Sequence, residues 1–292
     1  MASSPQPPPV RTHVVLRVLL FGLAAFGITW LTGLLVVLST QASLVGGAHV
    51  VSQPLDLPTP LVLTLLLIGG YGPALAAAAL SATEPGGGGV RALLEQVRRW
   101  RVGLGWYAIA FLGPSLLALL GLLLWSGYAG QLPTQGIPTS WFQFPSPLRL
   151  VFLAVGVWGE EIGWRGYALP QLQRRFSALV ASVGVGILWF GWHQWPLFTP
   201  AGPPAIDVGG LLIFFVYIVS ASVLFAWLYN STGGSLPIAW AAHVGFNLNL
   251  VSAPTVPFLL VAILYAVTAT LVVVLVGPQT LRRARRPRLP AA

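Results

Sequence analysis

Apolar residues run along this chain in blocks of about twenty, and polar residues gather between the blocks. The blocks predict eight helices: His13–Leu38, Leu61–Ala82, Leu104–Trp125, Leu148–Leu169, Ala178–Trp195, Val208–Tyr229, Leu236–Val251 and Phe258–Val276. Short segments of strict apolar/polar alternation, the mark of a membrane barrel, are absent from the sequence. Gly69, Gly70, Gly72 and Pro73 interrupt the second block and predict a kink or a close helix approach there. Gly113-Pro114 interrupts the third. One segment has a different pattern: Val90–Val102 sets Arg91, Arg98, Arg99 and Arg101 against Leu93, Leu94, Val97 and Trp100, which predicts an amphipathic helix lying at the membrane surface. The four glycines at 86–89 lack a following Lys-Ser/Thr, so they read as a flexible linker and not as a phosphate loop. Paired glycines in Asn230–Ser235 predict a tight turn.

Composition turns this pattern into a fold class. Hydrophobic residues make up 56% of the chain and charged residues only 7%, with a mean hydropathy of +0.81. A soluble domain carries about 25% charged residues. The expectation is an all-α, polytopic membrane helix bundle of about eight transmembrane helices, with the lipid bilayer as its solvent. Residues 1–12, rich in proline, are expected to form a disordered tail; 13–276 form the membrane domain, with its motif-bearing core at 148–251; and 277–292 form a basic cytoplasmic tail.

All fifteen basic residues other than histidine are arginine, and the net charge is +9. No basic stretch is interleaved with base-stacking aromatics, so no nucleic acid partner is expected. Counted along eight crossings, thirteen of the fifteen arginines fall on the side of the termini; only Arg149 and Arg165 do not. The positive-inside rule then places both termini in the cytoplasm, in what reads as a bacterial plasma membrane. The chain has no cysteine, which excludes disulfides, thiol nucleophiles and Cys-based metal sites.

Candidate chemistry is confined to a few residues. Only six residues are acidic, and two of them, Glu160 and Glu161, are adjacent within the fourth block. Ionisable groups at membrane depth are costly and point to function. Glu161 and Arg165 are four apart and share a helix face, so they can pair. Glu160 lies about 100° round the helix and stays free to act on something else. Two adjacent carboxylates in such a setting suit a general base. The plain alternative is a buried ion pair that fixes helix packing. His193 lies near the end of the fifth block, and His243 and Asn247, again four apart, lie in the seventh. His13 and His49 sit at block edges and read as solvated. Few other polar groups are available at depth, so Glu160, Glu161, Arg165, His193, His243 and Asn247 should cluster. Two imidazoles and a carboxylate, here Glu160, His193 and His243, can hold a divalent metal such as zinc, or hold and deprotonate a water. Trp189 shares a face with His193 and is expected to wall that site. No HExxH helix is present, and Ser235 sits too near a block edge to serve as a serine nucleophile with His243.

Three motifs in order then resemble the CPBP intramembrane protease family, which includes type II CAAX prenyl endopeptidases and bacteriocin-processing and immunity proteins. Glu160-Glu161-Ile162-Gly163-Trp164-Arg165 fits its Glu-Glu-x-x-x-Arg pattern, and a glycine follows. Trp189-Phe190-Gly191-Trp192-His193 fits Phe-x-x-x-His, with tryptophan where phenylalanine is usual. His243-Val244-Gly245-Phe246-Asn247 fits His-x-x-x-Asn. The resemblance implies an intramembrane endopeptidase acting on a membrane-associated peptide or protein. It also implies roles: Glu160 as the base that activates water, His193 positioning that water or binding a metal, and His243 and Asn247 supplying a further ligand and an oxyanion donor. Glu161 and Arg165 would orient them. A prenylated substrate is not implied. The competing expectation is a non-catalytic membrane immunity or binding protein that keeps the polar cluster as structure. A transporter fits less well, because the polar residues form one cluster and no chain across the membrane.

Overall fold

The first helix begins at Val10, after three consecutive prolines in the sequence. The computed structural model describes residues 10–40, 60–84, 88–130, 147–198, 207–248 and 256–282. Among these residues every regular element is helical and there is no strand, as the block pattern predicts.

Helix α1 spans Val10–Thr40. The second block divides into α2, Pro60–Gly70, and α3, Gly72–Ala82, bent by 56° at the predicted Gly/Pro break. Helix α4, Gly88–Val97, is the amphipathic segment. It starts in the glycine run read as a flexible linker and stops five residues before the predicted end at Val102. Gly89 packs on the end of α3, where an added Cβ would lie 2.6 Å from Ser81 O. Beyond Val97 the chain is drawn out of the helix by tertiary bonds: Arg99 Nη1 donates to Gly233 O, and Ser235 Oγ donates to Arg99 O at 2.6 Å. Helix α5 spans Leu104–Ala129 and accommodates Pro114.

The fourth block is one continuous helical rod in three parts: α6, Pro147–Gly163; a π-helical turn, Trp164–Ala168; and α7, Leu169–Gln173. Helix α8, Ala178–Trp192, is followed by a short 3-10 turn at Trp195–Phe198. Helices α9, Val208–Ser231, α10, Leu236–Leu248, and α11, Phe258–Val276, complete the chain. The turn between α9 and α10 needs φ of +70° at Gly233 and +84° at Gly234, which explains the paired glycines. The predicted end of the seventh block, residues 249–251, lies outside the described residues, as do His49 and residues 1–9.

Four helices, α1, α5, α9 and α11, are long and apolar enough to cross a membrane, and the bent α2–α3 pair makes up to five. They form the lipid-facing wall, with Leu23, Leu31, Leu116, Leu123, Val274 and Leu275 exposed. With the protein family described below, they make this a multi-pass membrane protein. The rod α6–α7, which carries Glu160, Glu161 and Arg165, and the shorter α8 and α10 occupy the other predicted positions and are not among these candidate spans. They are the helices that hold the polar cluster.

One end of the bundle gathers the arginines. Arg17 of α1 donates to Leu80 O and lies 3.6 Å from Glu84, which accepts from Gln171 of α7. Arg174 donates to Gln171. The chain after α11 folds back here as well. Carbonyls of Pro278 and Gln279 accept from Leu179 and Ala178 at the free N-terminus of α8, and Leu281 is fully buried. Residues 277–282 are therefore part of the bundle, whereas the basic tail from 283 on lies outside the described residues.

Candidate active site

Close backbone approach decides which face of α6 looks inward. Gly159 and Gly163, one turn apart, lie against the bend between α2 and α3; a Cβ on Gly159 would meet Gly70 O at 2.7 Å, and one on Gly163 would meet Pro73 O at 2.8 Å. Small residues at this spacing let helices touch at the backbone. With the glycine face turned to α3, Glu161 and Arg165 point the other way, into the bundle. Both are 0% exposed, and His243 is 1% exposed. The π turn begins at Trp164, next to this pair; such turns recur at functional sites.

Glu161 Oε1 accepts two hydrogen bonds, from Arg165 Nη1 at 2.8 Å and from His243 Nδ1 at 2.7 Å. The predicted Glu161–Arg165 pair is thus present, and it is joined to α10. The Arg165 guanidinium lies between two rings, its Cζ 4.7 Å from the centroids of both Trp189 and Phe225. Its Nε and Nη2 have no hydrogen-bond partner among the described residues, so the ring faces compensate part of the charge. Phe225, on α9, is a site neighbour that the sequence did not point to, because α9 is apolar all round and gives no positional signal.

Glu160 points elsewhere, as the helix geometry requires. Its Oε2 accepts from the indole Nε1 of Trp189 at 2.8 Å. His193 is the residue after α8, and its Nδ1 lies 2.8 Å from Trp189 O. A carbonyl only accepts, so Nδ1 carries the hydrogen and Nε2 keeps a lone pair. The same reasoning at the Glu161 carboxylate places a hydrogen on His243 Nδ1. Glu160 and His243 both lie near enough to His193 to act on it electrostatically. The Trp189 ring is 5.0 Å from that of His243 and 5.6 Å from that of His193, centroid to centroid. Glu160 and His193 are half-buried, in contrast with the sealed Glu161, Arg165 and His243. Asn247 is exposed one turn beyond His243 and is not hydrogen-bonded to this cluster. Ser235 has its hydroxyl committed to Arg99 O and takes no part.

Depth is set by α4. Glu161 lies twelve residues before Gln173, roughly 18 Å along the rod, while His243 is only seven residues into α10, roughly 11 Å. The two meet because α10 begins deeper in the bundle. Leu93 of α4 and Leu236 at the start of α10 both pack on Gly166, and Gln96 donates to Gly166 O at 3.1 Å.

The donor set fits a divalent cation in one respect: each imidazole has its Nδ1 held by an oxygen, as in metal-binding histidines. In another respect it does not: among the described residues no three His, Asp or Glu side chains converge closely enough to hold an ion. Glu160 is bonded to Trp189 and Glu161 is shared between Arg165 and His243.

Residues 141–249 match the family model described as type II CAAX prenyl endopeptidase Rce1-like. This segment is similar to the Rce1-like family. The match covers α6 to α10, which hold every predicted site residue. CAAX prenyl protease 2 of Methanococcus maripaludis is 30% identical over 149 residues, 48% of this chain and 54% of that protein. The chain thus spans about half the length of this curated relative. The motif-based resemblance to CPBP proteases holds at the level of the family.

Proposed function

We propose that this protein is an intramembrane endopeptidase that hydrolyses a peptide bond of a membrane-associated peptide or protein. The observation that carries the reading is that a half-buried carboxylate and two imidazoles, each held through Nδ1, gather around the Trp189 side chain among apolar helices. Glu160 Oε1, the oxygen not bonded to Trp189, takes a proton from a water. The water oxygen attacks the peptide carbonyl carbon as its proton moves to Glu160. His193 Nε2 accepts the second hydrogen of that water and fixes its position. Asn247, on the same helix face as His243, donates to the developing oxyanion. The carbon–nitrogen bond then breaks, and Glu160 returns the proton to the leaving amine. Glu161 and Arg165 hold His243 and the rod in place and touch no reacting atom.

The substrate lies in or at the membrane. The relative's name refers to CAAX prenyl substrates, so prenylated and unprenylated forms are the two arms to compare. The arginine end supports an orientation with both termini in the cytoplasm, and we place the protein in a bacterial plasma membrane. Comparison of membrane peptides between wild type and Glu160→Gln tests the proposal. Peptides produced by wild type and missing in the variant are expected; identical peptidomes overturn it. A quenched-fluorescent peptide ending in Cys-aliphatic-aliphatic-X, with and without a prenyl group, separates the substrate arms. Metal content of the purified protein tests a divalent cation such as zinc on Glu160, His193 and His243; no step above uses one.

The sealed Glu161–Arg165–His243 set favours a second reading, a non-catalytic immunity or binding protein stabilised by that set. Full biological activity in the Glu160→Ala, His193→Ala double variant would select it.

A further inference from the structure

We infer that Trp189 is a positioning residue that fixes both the base and the water-holding histidine from a single side chain and its own carbonyl. This deepens the endopeptidase reading and rests on it. Trp189 is 0% exposed at the centre of the site and touches each of four other site residues in a different way. Its indole N–H donates to Glu160 Oε2 at 2.8 Å. Its backbone carbonyl accepts from His193 Nδ1 at 2.8 Å. One ring face covers the Arg165 guanidinium, with Cζ 4.7 Å from the centroid, and the ring meets His243 in a T-shaped contact at 76°.

The indole N–H is a pure donor, so it engages a carboxylate oxygen and never competes for the water's hydrogens. By occupying Oε2 it leaves Oε1 as the one free oxygen of the base and sets the plane of the carboxylate. The carbonyl of the same residue holds the His193 tautomer with Nε2 free. The two groups that anchor base and imidazole therefore lie on one residue of α8, although the base itself comes from α6. A phenylalanine here fills most of the space and keeps the stacking, but cannot hold Glu160.

The test compares wild type, Trp189→Phe and Glu160→Leu in detergent micelles. The first readout is cleavage of the quenched-fluorescent peptide, prenylated and unprenylated. Trp189→Phe is expected to lower kcat about 10- to 100-fold with KM within about twofold, since the base is misplaced but the binding surface stays. The second readout needs no activity: the twelve tryptophan indole N–H resonances of 15N-labelled protein. The resonance lost in Trp189→Phe is that of Trp189, and it is expected to move upfield in Glu160→Leu, which removes the acceptor. Unchanged kcat in Trp189→Phe, with Glu160→Gln inactive, overturns the positioning role and leaves the endopeptidase reading standing. If wild type cleaves neither peptide and its membrane peptidome equals that of Glu160→Gln, the endopeptidase reading fails. The resonance then decides the contact alone: movement supports it and an unmoved signal overturns it. Should Trp189→Phe not fold, the Glu160→Leu spectrum still decides, because one of the twelve signals moving supports the contact and none moving overturns it.

Discussion

Arg165 shows how a charge is tolerated at the centre of this bundle. It is fully buried, bonded through one nitrogen to Glu161, and stacked between Trp189 and Phe225. Removing one partner of such a pair leaves an uncompensated charge and costs about 3–5 kcal/mol, whereas replacing both with apolar groups is far less costly. Arg165→Met is therefore expected to lower unfolding stability in detergent by about that amount, and the Glu161→Leu, Arg165→Met double variant to recover part of it. Full recovery is not expected, because His243 also loses its acceptor. Chemical unfolding of the three proteins measures this; equal losses in the single and double variants would contradict the paired description. At this scale the sequence was informative. Spacing of four put Glu161 with Arg165 and turned Glu160 aside, and both features are present. What spacing could not supply was the partner of Glu160, since Trp189 is 29 residues away on another helix.

At the scale of elements, glycines and prolines decide how helices meet. Gly163 lies on Pro73, and Gly245 of α10 lies against Phe111 O of α5. Gly113, on α5, has nothing within 4 Å of the place a Cβ would take. Gly163→Ala is expected to destabilise the protein by about 1–3 kcal/mol through overpacking and to displace the Glu-bearing rod. Gly113→Ala is expected to be neutral or to stabilise by about 0.5–1 kcal/mol, because alanine loses less freedom in a helix. Thermal unfolding in detergent compares the two, and cleavage by Gly163→Ala should fall with the displacement. Helix existence was legible in the apolar blocks, and α11 has the predicted bounds because Pro257 and Gly277 frame it. The end of α4 was not legible. Its Arg/Trp periodicity continues past Val97, but the bonds of Arg99 to Gly233 and Ser235 pull the backbone away.

For the whole molecule, the arrangement of ends can be read directly, since the chain has no native cysteine to interfere. Arg91 lies on α4 at the arginine end, and Asp207 precedes α9 at the opposite end of that helix from Asn230. In intact cells, a membrane-impermeant maleimide is expected to label Asp207→Cys and to reach Arg91→Cys only after permeabilisation. The reverse pattern overturns the orientation, and labelling of both from one side overturns the crossing arrangement. By itself the sequence determined that the chain is a helical membrane bundle and where most helices lie, and it singled out six candidate residues; five of them gather around Trp189, as the burial of so few polar groups in lipid favours, while Asn247 stays exposed. Tertiary structure decided their pairing. Hydrogen bonds such as that of Trp189 to Glu160, and the depth at which α10 meets α6, depend on backbone approach between distant helices, and no local periodicity encodes that distance.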